Sequence, residues 1–532
     1  MALYRAHILV DTSSPIYYES ARSIMSALSD EIKRHGLDRE VRVVETGHIG
    51  IHSTAPSAVV YPEGVVYTNL SINDAEEIVV EHLLKGTPVS RLLYKGFVPS
   101  SIQRSSHPRN PQTRVVMKNV GLIDPNSIDE YISLGGYEAA KKALTQMTSQ
   151  DVIEEVKRSG LFGRSGQGVP TADKWNLARE AGGNSKSIIC NGATGEPGNF
   201  KDSIILGGDP HSIIEGMLIG AYAVGADKGY ICTGANYGHR VEYIRRAIVA
   251  ARNMGLLGTD IGGSGFNFDI EIFEGTGDFI CSEETALLES IGGRRGESRT
   301  TPPFPVTSGL MSDPTVIHCV ETLANIPRII ASGADWFSGI GTEHSKGTKV
   351  YALSGDIVQS GVYEVPFGAT LRDIVYNLAG GIRNGKHLKA ILIGGPAGEL
   401  VGRDDLDRQL CYEDLLSGSG ALIVLDEGKC IISLIHNIVR FFANESCGLC
   451  TPCRAGTKCM LDILTLFTSG AGCEDDLEAL KTLAQTVSFT SKCDIGRSSV
   501  TALLSSLSLF GKEFLSHAKD KVCLTGVCAM DK

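Results

Sequence analysis

At 532 residues the chain is too long for one hydrophobic core, and roughly two to four domains are expected. An apolar fraction of 42% and a charged fraction of 21% exclude wholesale disorder, and 61 glycines leave room for glycine-rich cofactor loops. With 50 Lys+Arg against 61 Asp+Glu the net charge is −11, which excludes a nucleic-acid binder resting on a basic surface.

The N-terminus, Met1 to His7, lacks a basic region followed by an apolar run and a small-residue cleavage site. No apolar stretch approaches the roughly 18 to 20 residues of a membrane helix, so a cytoplasmic chain that does not span a membrane is expected. Residues 1–95 read as a small α/β unit. His7 to Val10 is a strand; Ala21, Ile24, Leu28 and Ile32 recur at helical spacing before Gly36; and Val41 to Glu45 is a second strand. Ala58 to Tyr61 and Val65 to Tyr67 form a hairpin about Pro62-Glu63-Gly64, and a closing helix runs from an Asn73 N-cap to Gly86. The order β-α-β-β-β-α predicts a thioredoxin-like domain. Residues 96–114, with Pro99, Pro108 and Pro111, read as a linker.

From 115 to 345 apolar runs (Ser187 to Cys190, Gly229 to Cys232, Phe268 to Phe273) alternate with helical stretches, predicting a layered, Rossmann-like α/β core with a largely parallel sheet. Residues 346–428 turn β-rich, as in a β-grasp (ubiquitin-like) module. Residues 429–532 are helical, with Ile431, Ile435, Ile438 and Phe442 and then Leu477, Leu480, Leu483 and Val487 at bundle spacing. The fold expected is therefore multidomain α/β with a C-terminal helical bundle.

None of the 14 cysteines precedes Cys190, and most crowd between Cys430 and Cys528. In a large chain without a secretion signal that pattern points to metal ligation rather than disulfides. The sharpest motif is Cys447-Gly-Leu-Cys450-Thr-Pro-Cys453, followed further on by Cys493. Three thiolates at this spacing can hold three corners of a 4Fe–4S cube from one loop, the fourth ligand arriving from elsewhere. Zinc would favour two separated pairs. Cys190, Cys232, Cys281 and Cys319 are read as small buried hydrophobes.

Glu445 to Gly456 resembles the iron–sulfur motif of the family of NADH-oxidising flavoprotein subunits of respiratory complex I and of bifurcating iron-only hydrogenases (beta subunit), a type present also in some formate dehydrogenases. The resemblance extends through Gly163 to Thr171, Asn191 to Asp202, Gly277 to Leu288, Pro302 to Pro305 and Val320 to Leu323. It implies an FMN site at Gly163, Arg164, Gly166, Gly168, Lys174, Asn191, Glu283, Glu284 and Thr322, with Glu196 and Phe304 on the nucleotide side. No catalytic residue is assigned.

The chain departs from the family pattern at this pocket. Asn191-Gly192-Ala193-Thr194 lacks two family carboxylates, Phe279 and Ser282 replace a Tyr and a Gly, and His318-Cys319 replaces an Asn pair. Val169 and Leu177 stand at nucleotide-stacking positions, Thr301 at a basic one, and Ser165 and Gln167 add bulk to the glycine turn. At about 1 kcal/mol per polar contact these changes sum to several kcal/mol. The expectation drawn is a divergent paralogue with an altered pocket in which FMN and NAD binding is lost or weakened. Family members with a thioredoxin-like extension often carry a 2Fe–2S cluster; here its four positions are Asp11, Ile16, His48 and His52, so no 2Fe–2S cluster is expected, and the histidines are read as solvated loop residues. In the tail, His517, Cys523 and Cys528 with Cys459 upstream form a candidate structural zinc set.

The reading reached is an iron–sulfur electron-transfer subunit of a multi-subunit cytoplasmic redox complex, partnered by other redox subunits. Two alternatives stand beside it: an active FMN-dependent NADH:acceptor oxidoreductase subunit, and a structural scaffold.

Overall fold

A computed structural model describes residues 4–530 apart from 13, 15, 47, 48, 50–54, 62, 95–111, 167, 184, 194, 235–237 and 239. Most of the expected linker, together with His48, His52, Gln167 and Thr194, therefore lies outside the described residues.

The first unit is a four-stranded sheet ordered β2-β1-β3-β4, from β1 (Ala6–Asp11), β2 (Val41–Thr46), β3 (Ala58–Tyr61) and β4 (Val65–Tyr67). β2 runs parallel to β1 and β3 antiparallel, which is the thioredoxin-like arrangement. The helix Tyr18–Arg34 packs through Ala21, Ile24, Leu28 and Ile32, the stripe legible in the sequence. The closing helix differs in its start. Asn73 is already helical and makes no side-chain cap; Asp74 instead accepts from the Ser71 amide and hydroxyl, both at 2.7 Å. Ties from this unit to the core include Thr12 Oγ1, 2.7 Å from Tyr243 Oη, Glu45, which accepts from the same hydroxyl, and Arg42, which pairs with Glu130 at 2.9 Å.

The core sheet is wholly parallel, ordered β7-β6-β5-β8 from β5 (Ser187–Gly192), β6 (Lys228–Gly234), β7 (Asp269–Gly275) and β8 (Thr315–Cys319). β5 and β8 are buried almost throughout because helices cover both faces there, whereas the edge strand β7 turns Asp269, Glu271 and Glu274 to solvent. The helix Pro210–Val224, almost wholly buried, backs one of them, and the close approach of Gly216 to the Leu323 carbonyl admits no side chain. From β5 the chain moves outward to β6 and β7 and then returns to place β8 on the other side of β5. The strand order thus reverses between β5 and β8, and in open α/β sheets ligands bind in the crevice at the carboxyl ends of such a pair.

The third sheet, β10-β9-β13-β11-β12, is built from β9 (Thr348–Gly355), β10 (Gly361–Pro366), β11 (Leu388–Ile393), β12 (Glu399–Val401) and β13 (Ala421–Asp426). β13 runs parallel to β9 and the other pairings are antiparallel, the β-grasp pattern. The helices Ile431–Glu445, Thr451–Ser469 and Glu474–Thr490 then form the C-terminal bundle, with Ile435, Phe442, Met460, Leu464 and Leu480 in its core. Among the described residues no helix is long and apolar enough to cross a membrane.

Candidate flavin crevice and iron–sulfur centre

The expected cofactor residues converge where the strand order reverses. Asn191 ends β5, Thr322 opens the helix Val320–Ser332 after β8, Lys174 comes from the helix Thr171–Glu180, and Glu283 and Glu284 begin the helix Glu284–Ile291. The starts of three helices and a glycine turn thus lie near the carboxyl ends of β5 and β8, the place where an open α/β sheet takes its ligand. A side chain at Gly166 would meet nothing within 4 Å, so the turn has open space on that side. Lys174 Nζ donates to Glu284 Oε1 at 2.5 Å and to the Ile317 carbonyl at 2.8 Å, bridging the crevice. Asn191 Nδ2 reaches the carbonyls of Cys281 and Ser282 at 3.5 Å, and Thr322 Oγ1 accepts from the Arg164 amide at 2.9 Å. These residues fit a flavin mononucleotide.

Two expected residues are placed differently from their neighbours. The Arg164 guanidinium is wholly buried, donating to the carbonyls of Phe162 (2.9 Å), Lys346 (2.6 Å) and Thr348 (3.1 Å). Glu283 spends its carboxylate as a helix cap, accepting from the Ala286 amide at 2.8 Å and the Thr285 hydroxyl at 2.6 Å. Glu196 is buried and hydrogen-bonded by Asn199 at 3.0 Å; burial pushes its carboxyl up to about 7. Phe304 is exposed, and so are Val169 and Leu177.

The altered positions have absorbed their changes into packing. His318 is buried and accepts from Trp175 Nε1 at 2.8 Å. Phe279 packs against Phe441 and Phe442, ring centroids 5.3 and 5.8 Å away, where a hydroxyl would have no role in that contact. Cys190, Cys232, Cys281 and Cys319 are buried, and the Cys319 thiol sits 3.1 Å from Thr322 Oγ1. Beneath the crevice lies a cluster the sequence did not announce: Lys201 Nζ donates to Glu321 Oε2 at 2.5 Å, with Lys349 Nζ 4.0 Å from the same oxygen, all of it buried.

The iron–sulfur residues meet at the end of the helix Ile431–Glu445. Cys447 follows that helix, Cys450 and Cys453 open the helix Thr451–Ser469, and Cys493 precedes the short helix Asp494–Ser498. Burial pushes the Cys453 thiol up, with the thiols of Cys450, Cys493 and Cys447 adding to the rise, against a hydrogen bond to Ser446 that lowers it. Gly496 lets the second loop in, since a side chain there would sit 3.2 Å from Cys453 Cβ. Arg295 donates to the Cys447 carbonyl and Arg454 to the Gly448 carbonyl, both at 2.5 Å. This donor set fits a 4Fe–4S cube.

The tail group differs in one member from the set expected. The sequence pointed to Cys459, His517, Cys523 and Cys528. Cys459 is exposed on the helix Thr451–Ser469, and Cys430 takes the fourth place, the four ligand atoms lying within 4.8 Å of one another. Cys430 Sγ is 3.5 Å from both His517 Nε2 and Cys528 Sγ. His517 Nδ1 bonds the Glu513 carbonyl at 2.9 Å, which aims Nε2 at the sulfurs as an outer-shell partner of a metal ligand does.

A crevice of this kind beside such a cysteine set suits a flavin-type oxidoreductase subunit. Comparison with known proteins specifies the family. Residues 156–328 match the Nuo51 FMN-binding domain, and residues 433–517 match the NADH-ubiquinone oxidoreductase-F iron–sulfur binding region. The NADP-reducing hydrogenase subunit HndC of Solidesulfovibrio fructosivorans is 46% identical over 422 residues, 78% of this chain and 86% of that protein. An F-type subunit of the NADH-quinone oxidoreductase of Rhizobium meliloti is 40% identical over 414 residues, 77% of this chain and 98% of that protein. A crystal structure of an NAD+-reducing [NiFe]-hydrogenase aligns over 97% of this chain and 84% of its own, with TM-score 0.69 and 27% identity. The chain belongs to the Nuo51 family, the F-type subunits of NADH-quinone oxidoreductases and their hydrogenase relatives.

Two expectations are corrected. The relay reading, with FMN and NAD binding lost or weakened, does not stand, because every altered crevice position from Ser165 to Cys319 falls inside the matched FMN-binding domain. The physical reason is visible in the crevice: Lys174, Asn191 and Thr322 and the helix N-termini are in place, and His318 and Phe279 have become packing residues. The expected absence of a 2Fe–2S cluster is withdrawn as well, because it rested on four positions of which two lie outside the described residues. Of the four positions behind that expectation, Asp11 is buried and Ile16 exposed, while His48 and His52 lie outside the described residues.

Proposed function

We propose that this chain is the FMN-dependent electron-entry subunit of a multi-subunit redox complex, exchanging electrons between a nicotinamide dinucleotide and a 4Fe–4S cluster held by Cys447, Cys450, Cys453 and Cys493. The relatives it matches are, by their names, subunits of hydrogenases and quinone oxidoreductases, which supports placing it among other redox subunits. When bound, FMN supplies the conversion between a hydride and single electrons. The chain's own residues hold it: the glycine turn and Asn191 offer close backbone approach, Lys174 and Thr322 offer donors, and Phe304 offers an exposed ring to a nucleotide. Ala193, Ser282, His318 and Cys319 make it a divergent member that holds the cofactor more through backbone and helix ends than through carboxylates.

One observation carries the reading. The segment 278–284 borders both centres: Asn191 reaches the carbonyls of Cys281 and Ser282 on the crevice side, while the Phe279 amide donates to Glu445 Oε2 at 2.7 Å, two residues before Cys447. Electron donor and acceptor therefore share one rigid wall. We read the tail group Cys430, His517, Cys523 and Cys528 as a structural zinc site pinning the C-terminus to the start of the helix that leads to the cluster loop.

The test is acid-released flavin and iron per chain in anaerobically purified protein. About one flavin with at least the four irons of one cube is expected, and Cys493→Ser is expected to lower iron while flavin remains. Flavin near zero in iron-loaded protein would overturn the proposal.

A further inference from the structure

The glycine turn is held from behind by the β-grasp module. Tyr412 Oη donates to the Gly163 carbonyl at 2.9 Å, and Lys349 Nζ donates to the next carbonyl, that of Arg164, and to the Gly418 carbonyl at 3.1 Å. In a trans peptide the N–H points opposite to the C=O. Tying back the Gly163 carbonyl therefore turns the Arg164 amide the other way, where it meets Thr322 Oγ1 at the mouth of the helix Val320–Ser332. Tying back the Arg164 carbonyl likewise turns the Ser165 N–H away from Lys349.

Tyr412 is itself fixed. Its ring lies between Phe162 and Phe367, centroids 5.5 and 5.2 Å away, and its amide donates to Ser345 Oγ at 2.9 Å. The neighbouring Glu413 accepts from the hydroxyls of Thr342 and Ser345. The same ring covers Gly168 so closely that a Cβ there would fall 2.4 Å from it, on a backbone at φ +77°. One face of the turn is thus filled by the third module, while Gly166 faces open space.

We infer that Tyr412 and Lys349 are positioning residues of the cofactor crevice, holding the Gly163 and Arg164 carbonyls inward so that the Ser165 amide turns toward the flavin. The inference rests on the FMN reading above and adds a role for a module that the resemblance left out of the site. It predicts that the turn keeps its shape without ligand and loosens when the Tyr412 hydroxyl is removed.

Tyr412→Phe keeps the ring on Gly168 and removes only the hydrogen bond. Its dissociation constant for FMN, titrated into deflavinated full-length protein, is expected to rise roughly fivefold, the worth of one ordinary hydrogen bond. The visible circular dichroism of the bound flavin should change, while iron content and the cluster's electron paramagnetic resonance signal stay as in the wild type. Tyr412→Ala should weaken FMN further, with Tyr412→Phe restoring part of the loss. Lys349→Met should act in the same direction if it folds; Tyr412→Phe decides the matter regardless. FMN affinity within twofold of wild type and an unchanged dichroism spectrum in Tyr412→Phe would overturn the inference. A wild-type protein that takes up no FMN would instead sink the flavin reading itself, so the two failures are distinct.

Discussion

Glu321 is the residue whose loss should cost the core most. Its carboxylate is fully buried, accepting from Lys201 Nζ at 2.5 Å and from the Val350 amide at 2.8 Å, with Lys349 Nζ at 4.0 Å. Burial alone would raise its pKa, but Lys201 and then Lys349 outweigh that and hold it below the ordinary value. Glu321→Gln keeps an oxygen for Val350 and removes the charge, leaving two buried ammonium groups to share Asp202, which is 3.4 Å from Lys201. Breaking a buried pair costs about 3–5 kcal/mol, and the retained amide bond places this variant near the lower figure. For a unit of this size that is roughly 6–12 °C in Tm. Trp175 is fully buried in the core, so its fluorescence during thermal unfolding, beside far-ultraviolet dichroism, isolates the relevant transition. Replacing the partner too, as Lys201→Met with Glu321→Gln, should recover part of the loss because the one buried ammonium that remains, Lys349, is then matched by the one carboxylate that remains, Asp202. A Tm within about 1 °C of wild type for Glu321→Gln, or a double variant as unstable as the two singles summed, would refute the reasoning.

Other outcomes follow from the same geometry. His211 is buried with its Nδ1 2.8 Å from Tyr137 Oη, and burial lowers its pKa to about 4. An unfolded histidine takes a proton near pH 6.5 and the folded one does not, so His211 contributes stability above that pH which is lost as pH falls from about 6.5 to 4. His211→Gln should flatten that slope, at most about 1.4 kcal/mol per pH unit, in urea unfolding at stepped pH. Cys430→Ser should abolish tail zinc, measured by elemental analysis, whereas Cys459→Ser should leave it; the reverse result would restore the ligand set the sequence suggested. Gly168→Ala should weaken FMN binding more than Gly166→Ala, because the first Cβ strikes the Tyr412 ring and the second meets open space.

Features that depend on neighbours in the chain are legible in the residues themselves. Period-two and helical apolar patterns placed β1 to β4 and the stripe of the helix Tyr18–Arg34, and the spacing of Cys447, Cys450 and Cys453 marked three ligands because one loop carries them all. The resemblance located the crevice for the same reason, since its motifs are local. Features that depend on distant partners emerge only in the folded chain. Cys430 stands 87 residues from His517, with no motif joining them, and only the docking of the tail makes it a member of that group. Substitutions at His318 and Phe279 read as losses while their side chains were assumed to face the ligand; the folded chain gives one to Trp175 and the other to Phe441 and Phe442. Arg164 stands among the positions the resemblance assigns to the flavin, yet three backbone carbonyls hold its guanidinium inside. Direction of a side chain is set by what packs behind it, and that is not written in the adjacent residues.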